Sequence, residues 1–323
     1  MKIAVTGSLG FIGSHLVDKL ISQGHIVIGI DDMSGGQLEN QNKKSPTYIT
    51  DCRDFKDLKR IFKKEKPEIV YHLACNAAEN KSCFSPVDIT SRNYDSFIKV
   101  LTAFIKNKGK RFIFTSSIAV YGDGQVPFKE IDDPKPEDLY GITKLAAEQT
   151  LKIMSKVHNF EYIIARPHNV YGERQNMTDP YRNVVTIFMN ATMKNQPYYI
   201  YGDGEQRRCF SYIDDVVEAL YKCGFEDVSG MTFNVGSDKD YSVNELSKAI
   251  GGEAVHIEER TQEVKIAISD HTQSKKFLGY EDRTSLKDGI KKTWAWAIKK
   301  GPQEAKLDKL ELQSKLVPSN WKK

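Results

Sequence analysis

The sequence predicts a doubly wound parallel α/β sheet with a smaller C-terminal α/β lobe. Short β-branched apolar runs alternate with amphipathic segments through the first half, and a glycine cluster separates the first run from the first amphipathic segment. After about Arg166 the alternation breaks up around Pro167, Pro180, Pro197 and the glycines Gly202 and Gly204. A chain of 323 residues also exceeds the usual size of a single core, so a second lobe and a cleft between the two are expected.

The strand-like runs are residues 3–6, 26–30, 48–50, 69–73, 112–115 and 162–165. Continuous apolar stretches such as IVIGI suit strands buried on both faces. Residues 11–22, 55–64, 94–106 and 140–156 repeat apolar side chains at three and four positions, the helical period. The expected organisation is a sheet domain over 1–166 to which some later segments return, a second lobe over 167–300, and a Lys-rich tail over 301–323 read as a solvated helical face.

Composition narrows the class. A 40% hydrophobic content supports a real core, and the small net charge of +4 owes much to the tail, so a nucleic-acid partner is not expected. The five cysteines form no CxxC pair and no His stands at zinc-finger spacing, which points away from metal sites and disulfides and toward reduced thiols. The first strand follows Met1 at once, and no apolar run approaches the about 18 residues of a spanning helix, so a cytoplasmic protein without a membrane partner is expected.

Gly7, Gly10 and Gly13 follow the first strand directly and open the helix at Phe11 and Ile12. That context makes the spacing a Rossmann dinucleotide turn: bare backbone N–H groups and a helix N-terminus face a pyrophosphate. Asp31 ends the second strand 18 residues past Gly13, where a carboxylate meets the adenine ribose. Asp32 follows, and no Arg or Lys comes before Lys43, so a 2′-phosphate is repelled and NAD is the expected cofactor.

Tyr140 and Lys144 stand four apart and share one helix face. Ser117 falls just past the strand 112–115, at the sheet edge where open α/β folds bind ligands. A free phenol, with pKa near 10, is only about 0.1% ionised at pH 7. An adjacent ammonium with a cationic nicotinamide could bring it toward 7, worth roughly 4 kcal/mol. Tyr140 would then take a hydroxyl proton while Ser117 hydrogen-bonds the reacting oxygen.

With these residues, TGSLGFIGSHL, DCRD at 51–54, HLA at 72–74, Asn93, TSSIAVYG, YGITK, RPHNVYG, RRCFSYIDDV, FNVGS and DHTQSKKFLGY make the chain resemble an extended short-chain dehydrogenase/reductase. It resembles the nucleotide-sugar epimerase and dehydratase family, and most of all its UDP-glucose 4-epimerase branch. The resemblance implies that Asp51 and Cys52 flank the adenine, that Leu73 and Ala74 line the pyrophosphate, and that Ser117, Tyr140 and Lys144 form the catalytic set. It further implies that Asn169 meets the sugar diphosphate, that Arg208 and Arg260 grip the phosphates, and that Asp270 lies near the nucleoside. Guanidinium groups suit a diphosphate because they can bind it bidentately. A homodimer through the helices 94–106 and 140–156 is also implied.

Dehydratases of this family carry Asp-Glu after the catalytic hydroxyl residue, and the decarboxylases a Glu at the second position; here Ile118 and Ala119 stand there. Reversible oxidation at C4 is left, which in this family is 4-epimerisation, with a UDP-hexose as the expected substrate. Another nucleotide-sugar oxidoreductase and a non-catalytic NAD-binding regulator stay open at this stage.

Overall fold

A computed structural model of the chain describes residues 1–182, 184–260 and 264–321. Six strands follow the predicted order within a residue or two: β1 (Lys2–Thr6), β2 (Ile26–Asp31), β3 (Thr47–Ile49), β4 (Ile69–His72), β5 (Arg111–Thr115) and β6 (Glu161–Pro167). They pair in parallel, with β1 between β2 and β4, and the strand Met231–Val235 joins the far edge beside β6. The chain therefore reverses direction across the sheet between β1 and β4, and the crevice at their C-terminal ends is where such sheets bind ligands.

Both sheet faces are buried, as the apolar runs require. One face packs Val5, Leu16 and Ile113 with Val216, Leu220 and Phe233 from the second half of the sequence. The other packs Ile28, Phe62, Phe97, Phe112 and Leu151 beneath the helices Phe55–Glu65, Ser96–Lys106 and Leu139–His158. A π-helical turn, Ser91–Asp95, precedes Ser96–Lys106. It turns Asn93 inward, where it accepts from the Asn76 N–H at 2.7 Å and donates to the Asn76 carbonyl. π-turns of this kind recur at functional sites.

The smaller lobe has its own core of Val185, Phe188, Tyr198, Tyr212 and Leu246, set between the helices Val184–Met193, Val243–Ile250 and Leu286–Lys300. The tail differs from its sequence reading. It is not helical over 301–318, and Leu310, Val317 and Trp321 are buried against Ala78 and Tyr181. Lys306, Lys309 and Lys315 are exposed, but three apolar side chains without helical spacing anchor it to the body of the protein.

Candidate active site

The C-terminal edge of the sheet and the smaller lobe enclose a cleft of about 1020 Å³. At one end the glycine turn is closed as tightly as backbone allows. Gly7 has φ 71°, and a Cβ there would meet the Ala74 nitrogen at 2.9 Å; a Cβ on Gly13 would meet the Gly7 carbonyl oxygen at 2.0 Å. Thr6 ties this turn to β4, its hydroxyl 2.8 Å from His72 Nδ1 while accepting the N–H groups of Leu73 and Ala74. Gly7, Gly10, Phe11, Ile12, Gly13, Asp31, Asp32, Asp51, Cys52, Leu73 and Ala74 all line the cleft. Bare glycine backbone at a helix N-terminus, beside carboxylates at the end of β2, fits a dinucleotide.

The carboxylates are held in place. Asp31 accepts from the N–H groups of Leu9 and Met33, and burial pushes its carboxyl above the ordinary range. Asp32 pairs with Arg92 at 2.9 Å, a cation 60 residues away that sequence reasoning missed. Asp51 is gripped by Arg53, whose hydrogen bonds hold it below the usual carboxylate range.

Ser117, Tyr140 and Lys144 meet on the adjoining wall. The helix bearing Tyr140 is capped by Asp138, which accepts from the Gly141 N–H at 2.7 Å. Gly141 lets this helix approach the Ser117 turn, since a Cβ there would stand 2.6 Å from the Ala119 carbonyl oxygen. Ser117 Oγ accepts from the Ala119 N–H at 3.1 Å, and its side chain acts on the Tyr140 phenol. Lys144 Nζ donates to the Thr115 carbonyl at 2.7 Å and lies 5.6 Å from the centre of the Tyr140 ring.

The phenol differs from expectation. Burial first, then the neighbouring Cys75, Glu79 and Asp138, push Tyr140 well above its ordinary value, while the Ser117 hydrogen bond acts the other way. Lys144 directs its ammonium at a backbone carbonyl, so the protein's own groups keep the phenol protonated. Glu79 and Asp138 were missed in the sequence because nothing in their neighbours marks them. Glu79 stands in the cleft, where desolvation and the Asp138 carboxylate raise it to about 7.

In the second lobe Asn169, Arg208 and Arg260 line the same cleft. Asn169 takes a left-handed backbone, φ 42°. Arg208 donates to the carbonyls of Arg207, Lys265 and Val264, and Arg260 stacks on Tyr201 with its guanidinium carbon 3.6 Å from the ring centre. Asp270 is not brought to the others. It lies outside the cleft lining, and its carboxylate accepts the Thr272 N–H at the start of the helix Thr272–Leu278.

A sequence model of the NAD dependent epimerase/dehydratase family matches residues 3–236. The chain belongs to this family. A putative UDP-glucose 4-epimerase of Methanocaldococcus jannaschii is 35% identical over 303 residues, 91% of this chain and 97% of its own length. A UDP-N-acetyl-alpha-D-glucosaminuronate decarboxylase of Bacillus cytotoxicus is 30% identical over 91% of this chain and 97% of its own. Among solved structures, the UDP-glucose 4-epimerase of Thermotoga maritima with UDP-glucose superposes with a TM-score of 0.89 at 35% identity, covering 93% of this chain and 99% of that one. As a member of this NAD-dependent family, the protein takes NAD as cofactor and acts in UDP-sugar chemistry that spans epimerases and decarboxylases.

Proposed function

We propose that this family member is an NAD-dependent 4-epimerase of a UDP-hexose. The observation that carries the reading is the wall formed by Ser117, Tyr140 and Lys144, with Ile118 and Ala119 where an eliminating or decarboxylating enzyme would set an acid. Tyr140 takes the proton of the C4 hydroxyl and later returns one, and Ser117 hydrogen-bonds the C4 oxygen throughout. Bound NAD supplies the hydride acceptor and a positive charge that favours the ionised phenol.

The 4-keto sugar must present both faces in turn, which needs a held diphosphate and a roomy sugar end. Arg208 and Arg260 supply cations for the first, Asn169 in the same cleft serves as the pivot, and the open cleft supplies the second. Glu79 and Asp138 at the Tyr140 end favour a neutral hexose over an anionic uronate. The NAD end is held by Gly7, Gly10 and Gly13, with Asp31 and Asp32 on the adenine ribose and Asp51 and Cys52 at the adenine.

The protein is further read as a cytoplasmic homodimer. Ile142, Ile153 and Val157 are exposed on the helix Leu139–His158, a stripe that a second copy would cover. Among the described residues no helix is long and apolar enough to cross a membrane.

The test is to purify the protein, release and identify its cofactor by mass spectrometry, and incubate it without added cofactor with UDP-, GDP- and dTDP-sugars. Interconversion of a UDP-hexose pair is expected. Stoichiometric consumption of added NADH, or release of carbon dioxide from a uronate, would replace this reading.

A further inference from the structure

The tail crosses the mouth of the cleft and is tied to both lobes. On the smaller-lobe side, Lys306 N–H donates to the Thr178 carbonyl at 2.7 Å and Asp308 N–H to the Tyr181 hydroxyl at 2.8 Å. On the sheet-domain side, Leu312 N–H donates to the Phe84 carbonyl, and Glu311 accepts the N–H groups of Val87 and Asp88 at 2.8 and 2.9 Å. Between these anchors Asp308 meets Lys81 Nζ at 2.5 Å, and Lys81 is buried in the cleft wall. Asp308, Lys309, Glu311 and Asn320 face the cleft directly.

The last described residue completes the crossing. Trp321 is 3% exposed, packs edge-on against Tyr181 and lies 5.7 Å from the Arg260 guanidinium, whose other neighbour is the Tyr201 ring. Arg260 is thus bracketed by two aromatic rings, one from the tail. Among the described residues, its Nε and the indole N–H of Trp321 are both buried donors with no partner. Of the two, Arg260 lines the cleft, and an unanswered guanidinium donor there fits an oxygen-rich anion, because it carries a desolvation cost until an acceptor arrives.

We propose that the 301–321 segment is a substrate strap, with Trp321 the positioning residue that holds Arg260 toward the diphosphate of the nucleotide sugar. The strap closes over bound substrate and lifts to release it, the Lys81–Asp308 pair acting as its latch. This rests on the UDP-sugar reading above. The geometry assigns Trp321 no part in the redox step.

The test uses the full chain as Trp321→Ala and Trp321→Phe, with UDP as the probe. Calorimetry should show UDP binding about ten-fold weaker in Trp321→Ala and largely restored in Trp321→Phe. KM should rise by a similar factor, with kcat within two-fold and NAD content unchanged. In the wild type, UDP should slow hydrogen exchange at the Lys306, Asp308 and Leu312 amides, a readout that stands even if the alanine variant folds poorly. Equal UDP affinity in Trp321→Ala, or tail amides indifferent to UDP, overturns the strap while leaving the epimerase reading intact. A wild type that binds neither UDP nor a UDP-hexose overturns both.

Discussion

Lys144 donates its ammonium to the carbonyl oxygen of Thr115 at 2.7 Å, the last residue of β5, two positions before Ser117. The bond joins the helix of Tyr140 to the strand end that carries Ser117, so one buried cation sets the spacing of the wall proposed to be catalytic. It also satisfies a charge that burial would otherwise penalise. Its position 5.6 Å from the Tyr140 ring centre still leaves it the nearest cation to the phenol among the cation contacts of that ring.

Tyr140→Phe is therefore expected to lower kcat by 10²–10⁴-fold, the usual worth of a general base, while NAD stays bound. Lys144→Met should lower kcat comparably and also loosen the wall. Initial rates on the UDP-hexose pair and the cofactor content of the purified variants separate the two effects. Turnover at wild-type rate in Tyr140→Phe would remove Tyr140 from the chemistry.

Glu79 opposes ionisation of Tyr140, and its own carboxyl is raised to about 7. Below that pH Glu79 is protonated and neutral; above it the added negative charge disfavours the phenolate. Glu79→Gln should therefore shift the acidic limb of kcat/KM to lower pH, and its rate advantage should emerge as pH rises through about 7. Superimposable pH profiles would show that Glu79 does not act on the base.

Gly13→Ala places a Cβ 2.0 Å from the Gly7 carbonyl oxygen, a clash between main-chain segments that no side-chain rotation relieves. Loss of NAD from the purified protein is expected, with destabilisation of about 1–3 kcal/mol or more, as overpacking costs elsewhere. Gly24→Ala is the control: its φ of 81° strains the chain, but a Cβ meets nothing within 4 Å. Cofactor content should separate the two variants, with NAD retained in Gly24→Ala.

Glu148 and Arg166 form an ion pair at 2.6 Å between the Tyr140 helix and β6, both fully buried. Ser116 donates to the same carboxylate, which connects the pair to the Ser117 turn. Removing one partner strands the other charge, so Glu148→Gln should cost about 3–5 kcal/mol in urea unfolding. Replacing both with apolar residues of similar volume should recover much of that loss. A double variant whose loss equals the sum of the two single losses would show that the pair is not coupled.

The parallel sheet was legible because each strand and helix advertises itself locally. The helix Phe11–Ser22 appears where its apolar period places it, and β5 within one residue of its predicted start. The glycine turn was readable for the same reason: closeness of backbone to backbone is a demand that only glycine meets, and the residues that make the demand are neighbours in sequence. Ser117, Tyr140 and Lys144 came from spacing and strand position. The tail escaped because Leu310, Val317 and Trp321 follow no period, being placed by a surface formed elsewhere in the chain.

What the sequence determined by itself is the sheet, the glycine turn and the residue types of the wall proposed to be catalytic, all set by local backbone preference and helical or strand periodicity. The tertiary structure alone decided the electrostatics: that Arg92 neutralises Asp32, that Glu79 opposes ionisation of Tyr140, and that Trp321 brackets Arg260. Those partners lie some 60 residues apart along the chain in every case, and Coulombic interaction depends on distance and desolvation in the folded state, which no local pattern records.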